Sequence, residues 1–217
     1  MKITKFPQSC VLIETKGKKI LIDPGILKYK DEYFDIWNSV DVILITHKHS
    51  DHCYTEVIEK LDKRIKIYST QEVQNKYENL KVEIVKENNV INIGDIKIEV
   101  VHAVHGYLPT LKGNEIIENV GYIVDDGENR LYATSDTICF KNEYKADILL
   151  APVMGHGLTM SAFETALFAK EVGTILTIPV HMDNPKFPPD LEYIKEMFEN
   201  NDVQYELLEN DESIEVE

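Results

Sequence analysis

All seven histidines of this 217-residue chain stand just after runs that read as β-strands, and that placement restricts the folds open to it. Val42-Ile43-Leu44-Ile45 leads into Thr46-His47-Lys48-His49-Ser50-Asp51-His52, and Ile96 to Val101 leads to His102 and His105. Ile148 to Val153 precedes His156, Ile175 to Val180 precedes His181, and Arg130 to Thr134 precedes Asp136 in the same way. Short apolar, β-branched runs are strand signals. A fold that aligns its strand ends therefore gathers these polar side chains in one place.

The densest stretch carries four metal-capable side chains, His47, His49, Asp51 and His52, within six positions. Read as an extended segment, it alternates, so His47, His49 and Asp51 share one face and His52 leaves it. Thr55 followed by Glu56, Val57, Ile58 and Leu61 reads as the start of an amphipathic helix, which puts the motif on a strand-to-helix loop. A solvated histidine-rich loop would leave the other histidines scattered, and they are not.

Strand patterns fall into two groups. Lys2 to Phe6, Val11 to Glu14, Lys19 to Ile22, Val42 to Ile45 and Ile65 to Tyr68 form the first. Ile96 to Val101, Gly121 to Val124, Leu131 to Ala133, Ile148 to Leu150, Thr174 to Ile178 and Gln204 to Leu207 form the second. Helices are expected at Glu56 to Leu61, Ser161 to Glu171 and Asp190 to Glu199, the second opened by a Ser161/Glu164 capping box and closed by Gly173. Two strand-then-Asp units, ending at Asp23 and Asp136, hint at an internal repeat. Together these predict an α/β (α+β) chain built as a four-layer αββα sandwich in one domain over residues 1–217, with the site at the strand ends. Asp23, before Pro24 and Gly25, reads as a turn former or as a support for a ligand.

The order H-x-H-x-D-H, later His, Asp, final His resembles the metallo-β-lactamase superfamily. More narrowly it is similar to the compact branch containing L-ascorbate 6-phosphate lactonase, the phospholipase D acting on N-acylphosphatidylethanolamines and related metal-dependent hydrolases. The resemblance runs from Ser9 to Glu14 and Ile20 to Pro24 through Ala133 to Thr137 to Ile178-Pro179-Val180-His181. It implies one metal on His47, His49 and His105, a second on Asp51, His52 and His181, and Asp136 bridging both. Ala103-Val104-His105 matches the family's Ala-x-His step, which selects His105 over His102. Gln8 stands where the branch often has His, and Cys53-Tyr54 follows His52 where x-Gly is common elsewhere in the superfamily.

The donor types suit the same reading. Imidazole and carboxylate favour borderline or hard divalent ions, zinc first, with manganese or iron as alternatives. Two such ions about 3.5–4 Å apart bind and acidify a water and polarise the bond it attacks, which predicts hydrolysis. Asp51 is expected to orient that hydroxide as well as to ligate. Cys53 reads as a small packing residue rather than a ligand.

A net charge of −15, with 23 Lys and Arg among 38 acidic residues, argues against nucleic acid and leaves a small anionic molecule as the expected substrate, drawn by the metals. Three cysteines without a C-x-x-C pair suit a reducing cytoplasm, and no run approaches the length of a transmembrane segment. A homo-oligomer is left open. The acidic stretch Glu206 to Glu217 reads as a solvated face around a last edge strand.

Three features bear on substrate choice. Tyr29, Tyr33, Phe34 and Trp37 either roof a pocket or anchor a long connection. The segment Gly106 to Asn119 is expected to pass near the site. His156, between Gly155 and Gly157, is either a general acid or substrate ligand, or a plain loop histidine. The expected activity is a binuclear metallohydrolase acting on a small anionic ester, lactone or phosphodiester. A diiron redox protein is the alternative, although redox relatives commonly carry Glu at the position of His49. A catalytically silent metal or ligand sensor is the other.

Overall fold

The architecture follows from two-residue alternation in strands with both faces covered. In the computed structural model, which describes residues 1–109 and 112–217, Ile20 and Ile22 point to one side and Leu21 to the other; Val42 and Leu44 likewise oppose Ile43 and Ile45. Ile148 and Leu150 oppose Leu149 and Ala151. Strands apolar on both faces must be packed on both faces. Each therefore sits inside a sandwich.

The first sheet has the strand order β13-β1-β2-β3-β4-β5-β6 and the second β12-β11-β10-β9-β8-β7. Their ranges are β1 Lys2–Lys5, β2 Val11–Thr15, β3 Lys18–Ile22, β4 Val42–Leu44, β5 Lys66–Ser69, β6 Glu83–Ile84 and β13 Ser213–Glu215; then β7 Val90–Ile93, β8 Ile96–His102, β9 Val120–Asp125, β10 Arg130–Ala133, β11 Ile148–Pro152 and β12 Leu176–Val180. Both sheets are mixed: β3 to β6 and β10 to β12 run parallel, the remainder antiparallel. The central core between the sheets holds Ile3, Ile13, Ile20, Val42, Leu44, Ile98, Tyr122, Leu131, Ile148 and Ile178. Helices α1 Tyr33–Trp37, α2 Thr55–Ile58 and α3 Gln71–Lys76 lie with the outer core of the first sheet. α4 Ala162–Val172 and α5 Leu191–Asn200 cover the second. The αββα layering is the one expected. Truncating a fully buried core residue such as Leu44 to Ala costs about 2–5 kcal/mol.

The capping box of α4 forms, with Ser161 Oγ accepting from the Glu164 amide and Glu164 Oε2 from the Ser161 amide, and Gly173 ends the helix at φ 82°. One strand expectation needs correction. Gln204 to Leu207 is not a strand: it makes one isolated bridge, Tyr205 to Thr177, before the chain crosses to bury Leu208 between the sheets. The last edge strand is β13 instead, paired with β1. The β7–β8 hairpin had only a weak sequence signal, because β7 is four residues long and its neighbours Glu87, Asn88 and Asn89 are polar, although its Gly94-Asp95 turn, with Gly94 at φ 62°, is a hairpin mark.

Candidate metal centre

The loop after β4 turns rather than extends. The amides of His52 and Cys53 both donate to the His49 carbonyl, at 3.1 and 3.0 Å, so His52 swings back beside His47 and His49 instead of facing away. The alternation assumed for an extended segment does not apply inside a turn. Ile26 N–H donates to Ser50 O and Tyr54 N–H to Pro24 O, strapping the motif to the loop after β3. That contact is close enough to require glycine: a Cβ on Gly25 would lie 1.7 Å from the Asp51 carbonyl oxygen.

Asp23, at the end of β3, is buried and fully engaged. Its Oδ1 accepts from the Thr46 amide, and its Oδ2 from the Thr46 hydroxyl and His52 Nδ1, each at 2.8 Å. With Nδ1 spent on Asp23, His52 presents Nε2 inward, where that atom is buried without a hydrogen-bond partner. His105 is fixed similarly, its Nδ1 donating to Gly106 O at 2.8 Å. Gly106 itself packs so tightly that a Cβ would meet Gly157 O at 2.0 Å.

The structure brings together His47, His49, Asp51, His52, His105, Asp136 and His181. Three overlapping sets, His47/His49/His105, His47/His52/Asp136 and Asp51/His52/His181, each offer ligand atoms within 4.8 Å of one another. The His105 ring lies 5.2 Å from that of His47 and 4.9 Å from that of His49. His102 points elsewhere, exposed and paired with Glu87 at 3.1 Å. Asp136 Oδ2 is 3.2 Å from His52 Nε2 and 2.8 Å from His181 Nε2, while its Oδ1 is buried without a partner. Ser135 and His181 adopt φ values of 67° and 62°, the strained backbone that aims side chains at a site.

Charge balance describes what such a cluster needs. Burial pushes the His47 imidazole well down, with the His52 charge adding to it, and lowers His49 to about 4. Burial also opposes charge on His52 and His181, yet Asp136, with Asp23 and Asp51, outweighs it at His52, raising it well above its usual range, and Asp136 with Asp51 raises His181 to about 9. Asp136 is held well below the carboxylate range because His181 and His52 overcome its burial. In the metal-free protein, protons on two imidazoles thus neutralise buried carboxylates. A divalent cation satisfies the same carboxylates and also the orphaned His52 Nε2 and Asp136 Oδ1, so the residues fit a metal.

The cluster opens on a cleft of about 480 Å³ lined by His49, Asp51, Lys76, Asn114, His156, Asn184, Lys186 and Phe187 among others. His156 is half-buried at φ 53°, lies tilted against Phe187 with ring centroids 4.5 Å apart, and has a buried, unpartnered Nδ1. Burial first, then the His181 charge, lowers its pKa. Asn114 brings the segment after His105 to the cleft; Thr110 and Leu111 of that segment lie outside the described residues. The aromatics of Gly25 to Ser39 anchor rather than roof: Tyr33 and Trp37 are buried in the outer core and pack on Tyr29. Cys53 is buried there too, its thiol kept protonated by burial.

Several groups had no clear sequence signal. Gln8 stood out only as a departure, yet it is buried against Asp51. Asn119 donates to the Asp136 carbonyl and accepts from Ser135 Oγ, and Lys76 arrives on a helix that was not anticipated. Such groups are distant in sequence from the motif and have no spacing to betray them.

The sequence profile of a beta-lactamase superfamily domain matches residues 2–181. The chain is a member of the metallo-β-lactamase superfamily. Among its superfamily relatives, a UPF0173 protein of Pyrococcus abyssi is 33% identical over 83% of each chain. A UPF0173 metal-dependent hydrolase of Nanoarchaeum equitans is 27% identical over the full length of both. Igni18, described as a metallo hydrolase from Ignicoccus hospitalis, shares the superfamily fold with a TM-score of 0.80, at 22% identity over 100% of this chain and 99% of that one. No helix among the described residues is long and apolar enough to cross a membrane.

Proposed function

We propose that this metal-dependent hydrolase works with two divalent ions, zinc first, on a small anionic ester, lactone or phosphodiester. The observation that carries the proposal is the convergence of the three overlapping ligand sets around an unpartnered His52 Nε2 and Asp136 Oδ1. His47, His49 and His105 would hold one ion, Asp51, His52 and His181 the other, with Asp136 between them. When bound, such ions acidify a water to near neutrality and polarise the bond it attacks. The three imidazoles of the His47/His49/His105 set are a donor set that suits catalytic zinc.

The chain's own residues supply the rest. Lys76 and Lys186 put cations on the cleft of a protein whose net charge is −15, which suits an anionic group on the substrate. Asn114 and Asn184 add neutral hydrogen-bonding groups beside them. His156 faces the same space with a lowered pKa, so it enters the reaction neutral. A neutral imidazole serves as a hydrogen-bond partner or proton acceptor for the substrate better than as a general acid. Asp51, acceptor-only when ionised, would hold the attacking water in line.

The test is elemental metal analysis of protein purified without chelator, followed by a panel of anionic lactones, carboxylic esters and phosphodiesters before and after metal removal. About two ions per chain and turnover that disappears and returns with metal are expected. Stoichiometric metal with no turnover on any class would overturn the reading. His156→Gln should lower kcat about 10²-fold with metal content intact; unchanged kcat and KM would remove His156 from the reaction.

A further inference from the structure

Gln8 is a neutral side chain buried against the cluster from outside the motifs, and each of its four polar groups has a partner. It sits in the turn between β1 and β2, completely buried, at φ 64°, a conformation rarely adopted by a residue with a side chain. Its amide N–H donates to Asp183 Oδ2 at 2.8 Å and its carbonyl accepts from the His181 amide at 2.8 Å. Its side-chain Oε1 accepts from the Asp183 amide at 3.1 Å, and Nε2 donates to Asp51 Oδ2 at 2.9 Å. The orientation of the side-chain amide is forced, because a flip would set NH₂ against the Asp183 N–H and oxygen against the Asp51 carboxylate. Asp183 is itself anchored, accepting from Lys28 at 2.6 Å and Asn210 at 2.9 Å with the buried Lys5 ammonium 3.6 Å away.

The contacts are one-sided. The Asp51 oxygen that Gln8 holds is also the one lying 3.8 Å from His52 Nε2 and 3.7 Å from His181 Nε2. Gln8 also fixes the backbone at His181. It makes no hydrogen bond to His47, His49 or His105. Outer groups that hold a metal ligand set its orientation and its donor strength. We infer that Gln8 is a positioning residue that tunes the two halves of the centre unequally, selectively strengthening the ion held by Asp51, His52 and His181. The inference rests on the binuclear reading above.

Cobalt titration of chelator-treated protein tests it, with stoichiometry and the visible d–d bands as readouts. The parent is expected to take up two cobalt ions per chain in two steps. Gln8→Met, similar in length but unable to donate, and Gln8→Ala, which removes the side-chain contacts and leaves those of the backbone, should each weaken one step about 10- to 100-fold and spare the other. The cobalt that remains tight in either variant should show the spectrum left by His181→Ala, not that left by His49→Ala. Gln8→His, which restores a nitrogen donor, should bring the two affinities back toward their parental ratio. The Ala and His variants keep the comparison available if the Met variant does not fold. One cobalt in the parent would refute the binuclear reading and this inference with it. Two in the parent, with both steps weakened equally or neither changed, would refute the role of Gln8 alone.

Discussion

Asp23 and Asp136 occupy corresponding places, each buried at the end of a central strand, one in each sheet, and each faces the same histidine from opposite sides. Asp23 Oδ2 lies 2.8 Å from His52 Nδ1, and Asp136 Oδ2 lies 3.2 Å from His52 Nε2. Their surroundings divide them. Asp23 accepts three hydrogen bonds, two of them from Thr46, whereas Asp136 Oδ1 has none. Burial dominates for Asp23, raising its pKa despite the pull of His52; for Asp136 the charges of His181 and His52 overcome burial and hold it well down. A carboxylate with both oxygens engaged by protein donors orients its neighbours. One left charged and partly unpartnered is free to bind.

If that division holds, Asp136→Ala gives the largest effect. If Asp136 holds both ions as proposed, its loss would forfeit much of the metals' polarisation of the reacting bond, worth several kcal/mol. Four of these, at about 1.4 kcal/mol per decade, correspond to roughly a thousandfold loss in kcat/KM. Metal content should fall below that of the parent in the same preparation. Retained metal together with turnover within tenfold of the parent would erase the distinction between the two aspartates.

The repeat of strand-then-Asp was legible in the sequence, and so was the layered sandwich, because both depend on local alternation and on punctuation at strand ends. That histidines and Asp136 stand at strand ends was legible for the same reason, since each follows an apolar run that a sandwich aligns; the choice of His105 over His102 and the inclusion of His52 came from the superfamily resemblance alone. Asp23 reads from the sequence as a turn former or a support for a ligand, and the resemblance implies a ligand at Asp136, but the contacts that divide them were not readable. Thr46 donates twice to Asp23 while no donor reaches Asp136 Oδ1, a matter of tertiary contact with no sequence period. The Gln204 to Leu207 expectation failed in a related way, since an alternating pattern marks a segment able to pair but not whether a neighbour is available over its length. His52 was misplaced because a turn, not a strand, carries it.

The two aspartates should also bend the pH dependence of stability in opposite directions. A depressed carboxyl such as Asp136 contributes stability that is complete above the ordinary value near 4 and is lost as pH falls through its folded value. Its partner His181, raised to about 9, contributes stability that is complete below about 6.5 and is lost as pH rises through 9. His52 adds to this alkaline limb. Asp23, raised by burial, does the opposite of Asp136: its contribution is greatest in acid and declines as pH rises through its folded value. Denaturant unfolding of chelator-treated protein should therefore show stability falling by about 3 kcal/mol between pH 6.5 and 9, with the limb flattened in Asp136→Asn. Saturating metal should flatten it too, because the ion replaces the imidazole protons. A metal-free parent of constant stability over that range would contradict the charge balance proposed for the centre.

The smallest effect sharpens the comparison most, since it asks how Asp23 acts at all. Loss of a group that orients a metal ligand costs about 10- to 100-fold in metal affinity, so Asp23→Ala should bind metal within that range of the parent and turn over correspondingly less. Asp23→Asn separates orientation from filling. Its amide oxygen can still accept from the Thr46 amide, but NH₂ then faces the hydroxyl of Thr46 and His52 Nδ1. To accept from that NH₂, His52 must move its proton to Nε2, the atom that faces Asp136. The isosteric variant should therefore be at least as damaging as Ala, although it leaves no cavity. Nitrogen-15 shifts of His52 in the zinc-loaded variants, where the ring is neutral, would report which nitrogen carries the proton. Parental metal affinity in Asp23→Asn would mean that Asp23 fills space beside His52 without setting which nitrogen it presents.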